Sequence, residues 1–303
     1  MTLLIVLLAG GTMLLLAVLM AFVLGWANTA FAVEVDPRVE AVLKVLPGAN
    51  CGGCGFVGCG EYAEGVVKHG ASVNKCTVGG ESCAKAIAAI LGVEVEQTWP
   101  YRPVVHCGAH YGDRLGRAKY AGEPTCGSAN LIGGVQGCTY GCLGMGDCQA
   151  ACPFDAIHMV DGLAAVDYEK CTGCGACARA CPRRIITMVP FKVERMVVVT
   201  CSNHDFGKQV RAVCKVGCIG CRACTKVTDL FTMLDNLPQI DYGKYDPQSM
   251  EPLQAVIAKC PMERVLFIGK PSPEDLVAMA GEKVPGIVRD TFDSTVDKAE
   301  WHG

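Results

Sequence analysis

The 303-residue sequence lacks a basic excess, a phosphate-binding turn and a hydrolytic constellation. Its formal charge is −3, so the charge balance indicates neither nucleic acid nor an anionic surface as partner. The phosphate-loop pattern GxxxxGKS/T does not occur, and no GxGxxG stands between a strand pattern and a helix pattern. No flavin or nucleotide is therefore expected on this chain. Nor do a Ser, a His and an acid share a spacing that would single out nucleophilic catalysis.

Charge is missing altogether from Met1 to Val33. There TLLIVLLAGGTMLLLAVLMAFVLGW supplies about 25 apolar or small residues, roughly 37 Å as a helix against a hydrocarbon core of about 30 Å. This predicts one transmembrane helix over residues 1–27. A cleaved signal peptide would need a basic leading region and a shorter apolar core. Arg38 and Lys44 follow the span and nothing basic precedes it, which places the N-terminus outside and the bulk of the chain in the cytoplasm, tethered to the inner (cytoplasmic) membrane.

What the chain has in quantity is cysteine, 21 in all. The chain is too long for a small disulfide scaffold and the count is odd, while the spacing is that of metal ligands. In CTGCGACARACP, Cys171, Cys174, Cys177 and Cys181 stand at C-x2-C-x2-C-x3-C with Pro182 behind. In this run three thiolates hold one iron–sulfur cube and the fourth reaches a second. Cys142, Met145, Cys148 and Cys152-Pro153 repeat the register with methionine in the middle slot. Cys138, just upstream, is the expected replacement. One 4Fe-4S cluster is thus assigned to Cys138, Cys142, Cys148 and Cys181, and its neighbour to Cys152, Cys171, Cys174 and Cys177. Zinc needs only four ligands in paired steps and has no use for a repeated triple ending in Cys-Pro.

Around this pair, expected as a two-cluster ferredoxin domain over 136–190, four further segments are read. Residues 28–97 form a small helical 4Fe-4S domain: Cys51, Cys54, Cys59 and Cys76 stand at C-x2-C-x4-C-x16-C among glycines that let the backbone wrap a cube. An amphipathic helix capped at Asp36 precedes them. Cys83 falls in the helical pattern SCAKAIAAIL and reads as a buried thiol. Residues 98–135 look like a linker, with Cys107, Cys126 and, at its flanks, His106 and His110 as surface histidines. Residues 191–270 repeat the ferredoxin pattern in degenerate form. CKVGCIGCRACTKVT aligns with CTYGCLGMGDCQAACP, leaving one cluster on Cys218, Cys221, Cys224 and the Cys260 of a closing Cys-Pro. Residues 271–303 are a tail.

Cys107, Cys126, Cys201 and Cys214 remain. Cys126 precedes Cys138 by nearly the step that separates Cys201 from Cys214, and these four are expected to hold a fifth cluster. Arg179, Arg183 and Arg184 beside the second Cys-Pro are candidates for docking an acidic carrier, against a plain solvated face. The fold class is α+β: an N-terminal transmembrane helix, a helical iron–sulfur domain and ferredoxin-like modules with pseudo-twofold halves. Such a chain passes electrons through four to five 4Fe-4S clusters, and any substrate must meet a partner.

The apolar helix, DPRVEAVLKVLPGANCGGCGFVGCGEYAEGVV, GCTYGCLGMGDCQAACPFDAI and CKVGCIGC together resemble the B subunits of Rnf complexes, up to about Arg264. The resemblance implies a membrane-anchored electron-transfer subunit of an ion-translocating ferredoxin:NAD oxidoreductase. It would accept electrons from reduced ferredoxin and pass them to the other membrane and peripheral subunits, which reduce NAD and move Na+ or H+. Thr228, where a Cys-Pro would complete another ferredoxin half, departs from the fuller family pattern. A tethered polyferredoxin serving another reductase without pumping is the alternative. The first motif also resembles the iron–sulfur domain of corrinoid proteins, against which the apolar helix argues.

Overall fold

A computed structural model describes residues 2–31, 36–95, 99–116, 118, 120–246 and 250–270; the expected tail lies outside the described residues. Helix α1 (Thr2–Ala30) is apolar all round, and over Leu7–Ala30 it is long and apolar enough to cross a membrane, with none of that stretch buried against the rest of the chain.

Next come α2 (Pro37–Val45), α3 (Cys59–His69) and α4 (Gly80–Leu91). Asp36 caps α2 by accepting the Arg38 N–H at 2.8 Å, with Pro37 at the first helical position. Gly70 and Gly92 end α3 and α4 with φ of +64° and +67°, the left-handed turn that glycine takes without strain. The three helices bury Val39, Val42, Tyr62, Val66 and Ile87 in one apolar cluster, and Cys76 and Cys83 lie in it.

The rest is two copies of one plan. Strand β1 (Tyr101–Val105) opens the first copy, followed by the short helices α5 (Cys126–Leu131) and α6 (Asp147–Ala150), the hairpin β2 (Ile157–Val160) and β3 (Leu163–Val166), α7 (Ala176–Ala180) and β4 (Ile186–Pro190). The second copy has β5 (Arg195–Val199), α8 (Gly207–Val213), the hairpin β6 (Phe231–Leu234) and β7 (Leu237–Ile240), α9 (Met250–Lys259) and β8 (Val265–Gly269). In each copy the outer strands pair antiparallel, β1 with β4 and β5 with β8, around the inner hairpin. The stretch expected as a linker therefore holds the first strand of a ferredoxin-like module. Its pairing with β4, Tyr101 opposite Pro190 through Val105 opposite Ile186, marks it as a strand despite Pro103.

The outer-strand pairing also corrects the repeat alignment. His106 N–H donates to Ile185 O at 2.7 Å, and Thr200 N–H donates to Arg264 O at the same distance. Val104-Val105-His106-Cys107 thus corresponds to Val198-Val199-Thr200-Cys201. Cys201 matches Cys107, not Cys126. Cys126 belongs to an insertion that the first copy has and the second lacks.

Candidate metal centres

Four cavities, each ringed by four thiols, are built from these elements. In the helical domain Cys51, Cys54, Cys59 and Cys76 surround about 320 Å³. Asn50 accepts the Cys59 N–H at 2.8 Å through its side chain, and Gly79 N–H donates to Cys76 Sγ at 3.3 Å. Cys83 lies outside this wall, and burial pushes its thiol up to about 11.

Cys152, Cys171, Cys174 and Cys177 ring a second cavity of about 310 Å³, the grouping read from their spacing. The third, about 380 Å³, is ringed by Cys142, Cys148, Cys181 and Cys126, whereas the spacing predicts Cys138 there. Asp147, adjacent to Cys148, accepts the backbone N–H groups of Cys126 and Gly127 at 2.8 and 2.9 Å, which fastens the start of α5 to the loop. Met145 packs with Cys126, Tyr120, Val135 and Leu143 in an apolar cluster. The insertion thus carries a thiol to the place that the methionine slot leaves short.

Cys138 goes instead to the fourth cavity, about 400 Å³, with Cys107, Cys201 and Cys214. This quartet takes two thiols from each copy and lies on the seam between them, where Arg114 and Cys214 pair across and Leu115 N–H bonds Val213 O at 3.0 Å. Asn203 Nδ2 approaches Cys138 Sγ at 3.6 Å.

The remaining thiols, Cys218, Cys221, Cys224 and Cys260, act on one another: after burial, Cys260 and Cys221 raise Cys218, and Cys218 and Cys221 raise Cys224. The Arg264 N–H donates to Cys260 Sγ at 3.2 Å. Cys-Pro is followed by a left-handed residue at Asp155, Arg184 and Glu263, with φ of 51°, 53° and 54°. The same turn presents Cys152, Cys181 and Cys260.

Each quartet abuts the next. Gly53, between Cys51 and Cys54, sits so close to Cys174 that a Cβ would lie 2.9 Å from its Cα. Cys148 is raised by burial and then by Cys142, Cys126 and Cys177, joining the third group to the second. Cys142 feels Cys107 of the seam. Cys218 N–H donates to Cys201 Sγ at 3.3 Å, joining the seam to the last group. The series runs from the helical domain behind α1 to Cys221, the one exposed cysteine of the 21.

Among the described residues no three Cys, His, Asp or Glu converge on a point as for a single ion, where thiolates about 2.3 Å from zinc would crowd together. The thiols instead stand around space for a larger group. Three residues of these walls each carry a buried donor without a partner: Thr77 in the first cavity, Thr172 in the second and Arg114 at the seam. A sulfide-bearing cube offers acceptors to all three, so these residues fit an iron–sulfur cluster. Burial pushes Cys142 and Cys177 up to about 11 and Cys201 up to about 12, a cost that iron offsets by taking the thiolate.

His106 is no surface histidine. Its ring joins Val199 O and Thr187 Oγ1, each at 2.7 Å, and burial lowers its pKa. Arg183 turns inward to Cys138 O at 2.9 Å, Gly141 O at 2.8 Å and Asn130 Oδ1 at 3.1 Å, and Arg179 to Cys174 O at 3.1 Å, which removes both as free docking groups. A signal for the seam grouping does stand in the chain: the repeated VVHC and VVTC, whose alignment pairs Cys107 with Cys201.

Family models for an Fe-S cluster and for a 4Fe-4S binding domain match residues 46–78 and 164–187. The chain is 42% identical over 240 residues to the B subunit of the Na(+)-translocating ferredoxin:NAD(+) oxidoreductase complex of Acetobacterium woodii, covering 78% of this chain and 70% of that protein. It is 40% identical to the B subunit of the ion-translocating oxidoreductase complex of Methanosarcina acetivorans, over 79% of this chain and 89% of that protein. The B subunit of the proton-translocating ferredoxin:NAD(+) oxidoreductase complex of Clostridium ljungdahlii is also 40% identical, over 68% and 73%.

Proposed function

Because the chain belongs to the B subunits of ion-translocating oxidoreductase complexes, we propose that it is the electron-relay subunit of such a complex, carrying electrons from reduced ferredoxin toward subunits that reduce NAD and move Na+ or H+. The observation that carries this reading is the series of four thiol-ringed cavities, with the thiols of Cys218, Cys221, Cys224 and Cys260 beside the last of them. A bound 4Fe-4S cluster supplies one reversible electron per station. The thiols of Cys51, Cys54, Cys59 and Cys76 hold the station that follows α1 in the chain. Cys152, Cys171, Cys174 and Cys177 hold the next, Cys126, Cys142, Cys148 and Cys181 the third, Cys107, Cys138, Cys201 and Cys214 the seam, and Cys218, Cys221, Cys224 and Cys260 the outermost.

Helix α1 anchors the chain in the inner membrane with its N-terminus outside, so the ferredoxin-like modules face the cytoplasm. Ferredoxin, an acidic one-electron carrier, meets the outermost station. Cys221 is exposed there, and Lys208, Arg211, Lys215, Arg222 and Lys226 are exposed close by in sequence. The test is iron and acid-labile sulfide per chain, purified without oxygen, together with ferredoxin-dependent NAD reduction by membranes. Five cubes correspond to about 20 irons, and Cys174→Ala should lose about four of them and abolish the activity. Full activity with the cluster gone would take that station off the path, and zinc without sulfide would end the reading.

A further inference from the structure

The quartet on the seam differs from the other three cavities in the charge built into its wall, and one of its arginines, Arg264, also acts on Cys218 of the outermost group. Arg114 and Arg264 both line it, and no Asp or Glu does. The cavities of Cys51 and Cys171 have no Arg, Lys, Asp or Glu in their walls, and that of Cys142 has Arg183 balanced by Asp147, although the Arg114 charge reaches Cys142 as well. Arg102 and Arg179 bond the carbonyls of Cys171 and Cys174 from outside that wall.

Arg114 is 6% exposed. Its Nε and Nη2 hold Ala109 O at 3.1 and 2.9 Å, Nη2 also reaches Gly162 O at 2.7 Å, and the Tyr111 ring lies 5.3 Å away. Nη1 has no partner. Arg264 reaches Gly108 O at 2.9 Å, and Gly108 leaves room for it because a Cβ there would collide with the guanidinium. Neither arginine pairs with a carboxylate among the described residues. A guanidinium stays charged at any accessible pH, and burying one without a counter-charge is costly. Arg264 is half-buried and Arg114 buried, so negative charge inside the cavity they share offsets a cost that falls mainly on Arg114.

We propose that Arg114 and Arg264 make the seam the highest-potential station of the relay, the one that fills first and holds its electron at rest. This rests on the reading that the quartets hold clusters. An added electron makes the station more negative, and fixed cations in a poorly solvated wall favour that state over the oxidised one. One electron enters from the Cys218 side and leaves toward Cys142, and no atom or proton moves. A low point in the middle of the series separates arrival from ferredoxin and departure toward the membrane, so the two steps need not coincide.

The test is a redox titration of the loaded full-length chain followed by electron paramagnetic resonance. Cys201→Ala identifies the seam signal by removing it with about four irons. In the wild type that signal should be the first to appear on stepwise reduction. Arg114→Met and Arg264→Met should each make the station at least tenfold harder to reduce, 59 mV for one electron, with a smaller shift for Arg114→Lys. A seam signal that appears after the others, or one that does not move in fully loaded Met variants, overturns the proposal. If either variant does not load, the wild-type order of appearance decides. A Cys201→Ala chain that keeps all its iron would refute the underlying cluster assignment instead.

Discussion

Removing the Asp147 carboxylate should cost the cluster site of Cys142, Cys148 and Cys181 its fourth thiol, although Asp147 is no ligand. The carboxylate holds two backbone N–H groups at the start of α5, at 2.8 and 2.9 Å, adding to the packing of Cys126 against Met145 and Leu143. Hydrogen bonds to a charged group contribute about 1.5–3 kcal/mol each. Asp147 is half-buried, so the lower figure applies and Asp147→Ala should weaken docking by about 3 kcal/mol, roughly 150-fold in the docked-to-undocked equilibrium. Asp147→Asn keeps an acceptor toward Cys126 and should lose about half of that. The assay is iron and sulfide per chain together with alkylation of Cys126, whose side chain is buried in the docked state. Asp147→Ala should lose about four irons and expose Cys126, with Asp147→Asn between it and the wild type. An Asp147→Ala chain with full iron and a protected Cys126 would refute the tether.

The exchange of Cys126 and Cys138 predicts a pattern of non-additivity. Cys126→Ala with Cys181→Ala should lose about four irons, the same as either alone, whereas Cys126→Ala with Cys138→Ala should lose about eight, because the latter two serve different cubes; equal losses in the two doubles would restore the original grouping. Gly53→Ala would put a methyl 2.9 Å from Cys174 Cα and 3.0 Å from its carbonyl, both backbone atoms that cannot step aside. It should leave iron content intact but slow electron passage into the helical domain, and an unchanged rate in stopped-flow reduction would separate that domain from the relay. In the cluster-free chain, burial holds Cys142 and Cys177 at about 11 and Cys201 at about 12, above the ordinary thiol value of about 8.5. The folded form therefore binds more protons than the unfolded one. That contribution to stability is complete below about pH 8.5 and is lost as pH rises toward those values. Thermal melts of the cluster-free chain should fall across that window, and cluster loading near neutral pH should release protons measurable by pH-stat.

Local spacing was enough to read the apolar span, the cap at Asp36, the Cys51–Cys76 motif and the run Cys171–Cys181. Each of these depends on residues a few turns apart, where helix and loop geometry leave little choice. The cysteine-rich composition and Cys-Pro turns were sufficient for the α+β, ferredoxin-like reading. Spacing did not reveal that β1 belongs to the first module, because its partner β4 lies far along the chain and strand pairing depends on that distant edge. Spacing also put Cys138 with Cys142, Cys148 and Cys181, where the structure has Cys126. Both stand upstream of Cys142 at usable distances, and the choice rests on two N–H groups of α5 meeting Asp147 and on the meeting of Arg114 with Cys214 across the seam. Sequence alone determined which residue types carry electrons and in which local groups. Only the tertiary structure decided which thiols share a cavity and which cations line it, because those groupings join segments that the chain itself keeps apart.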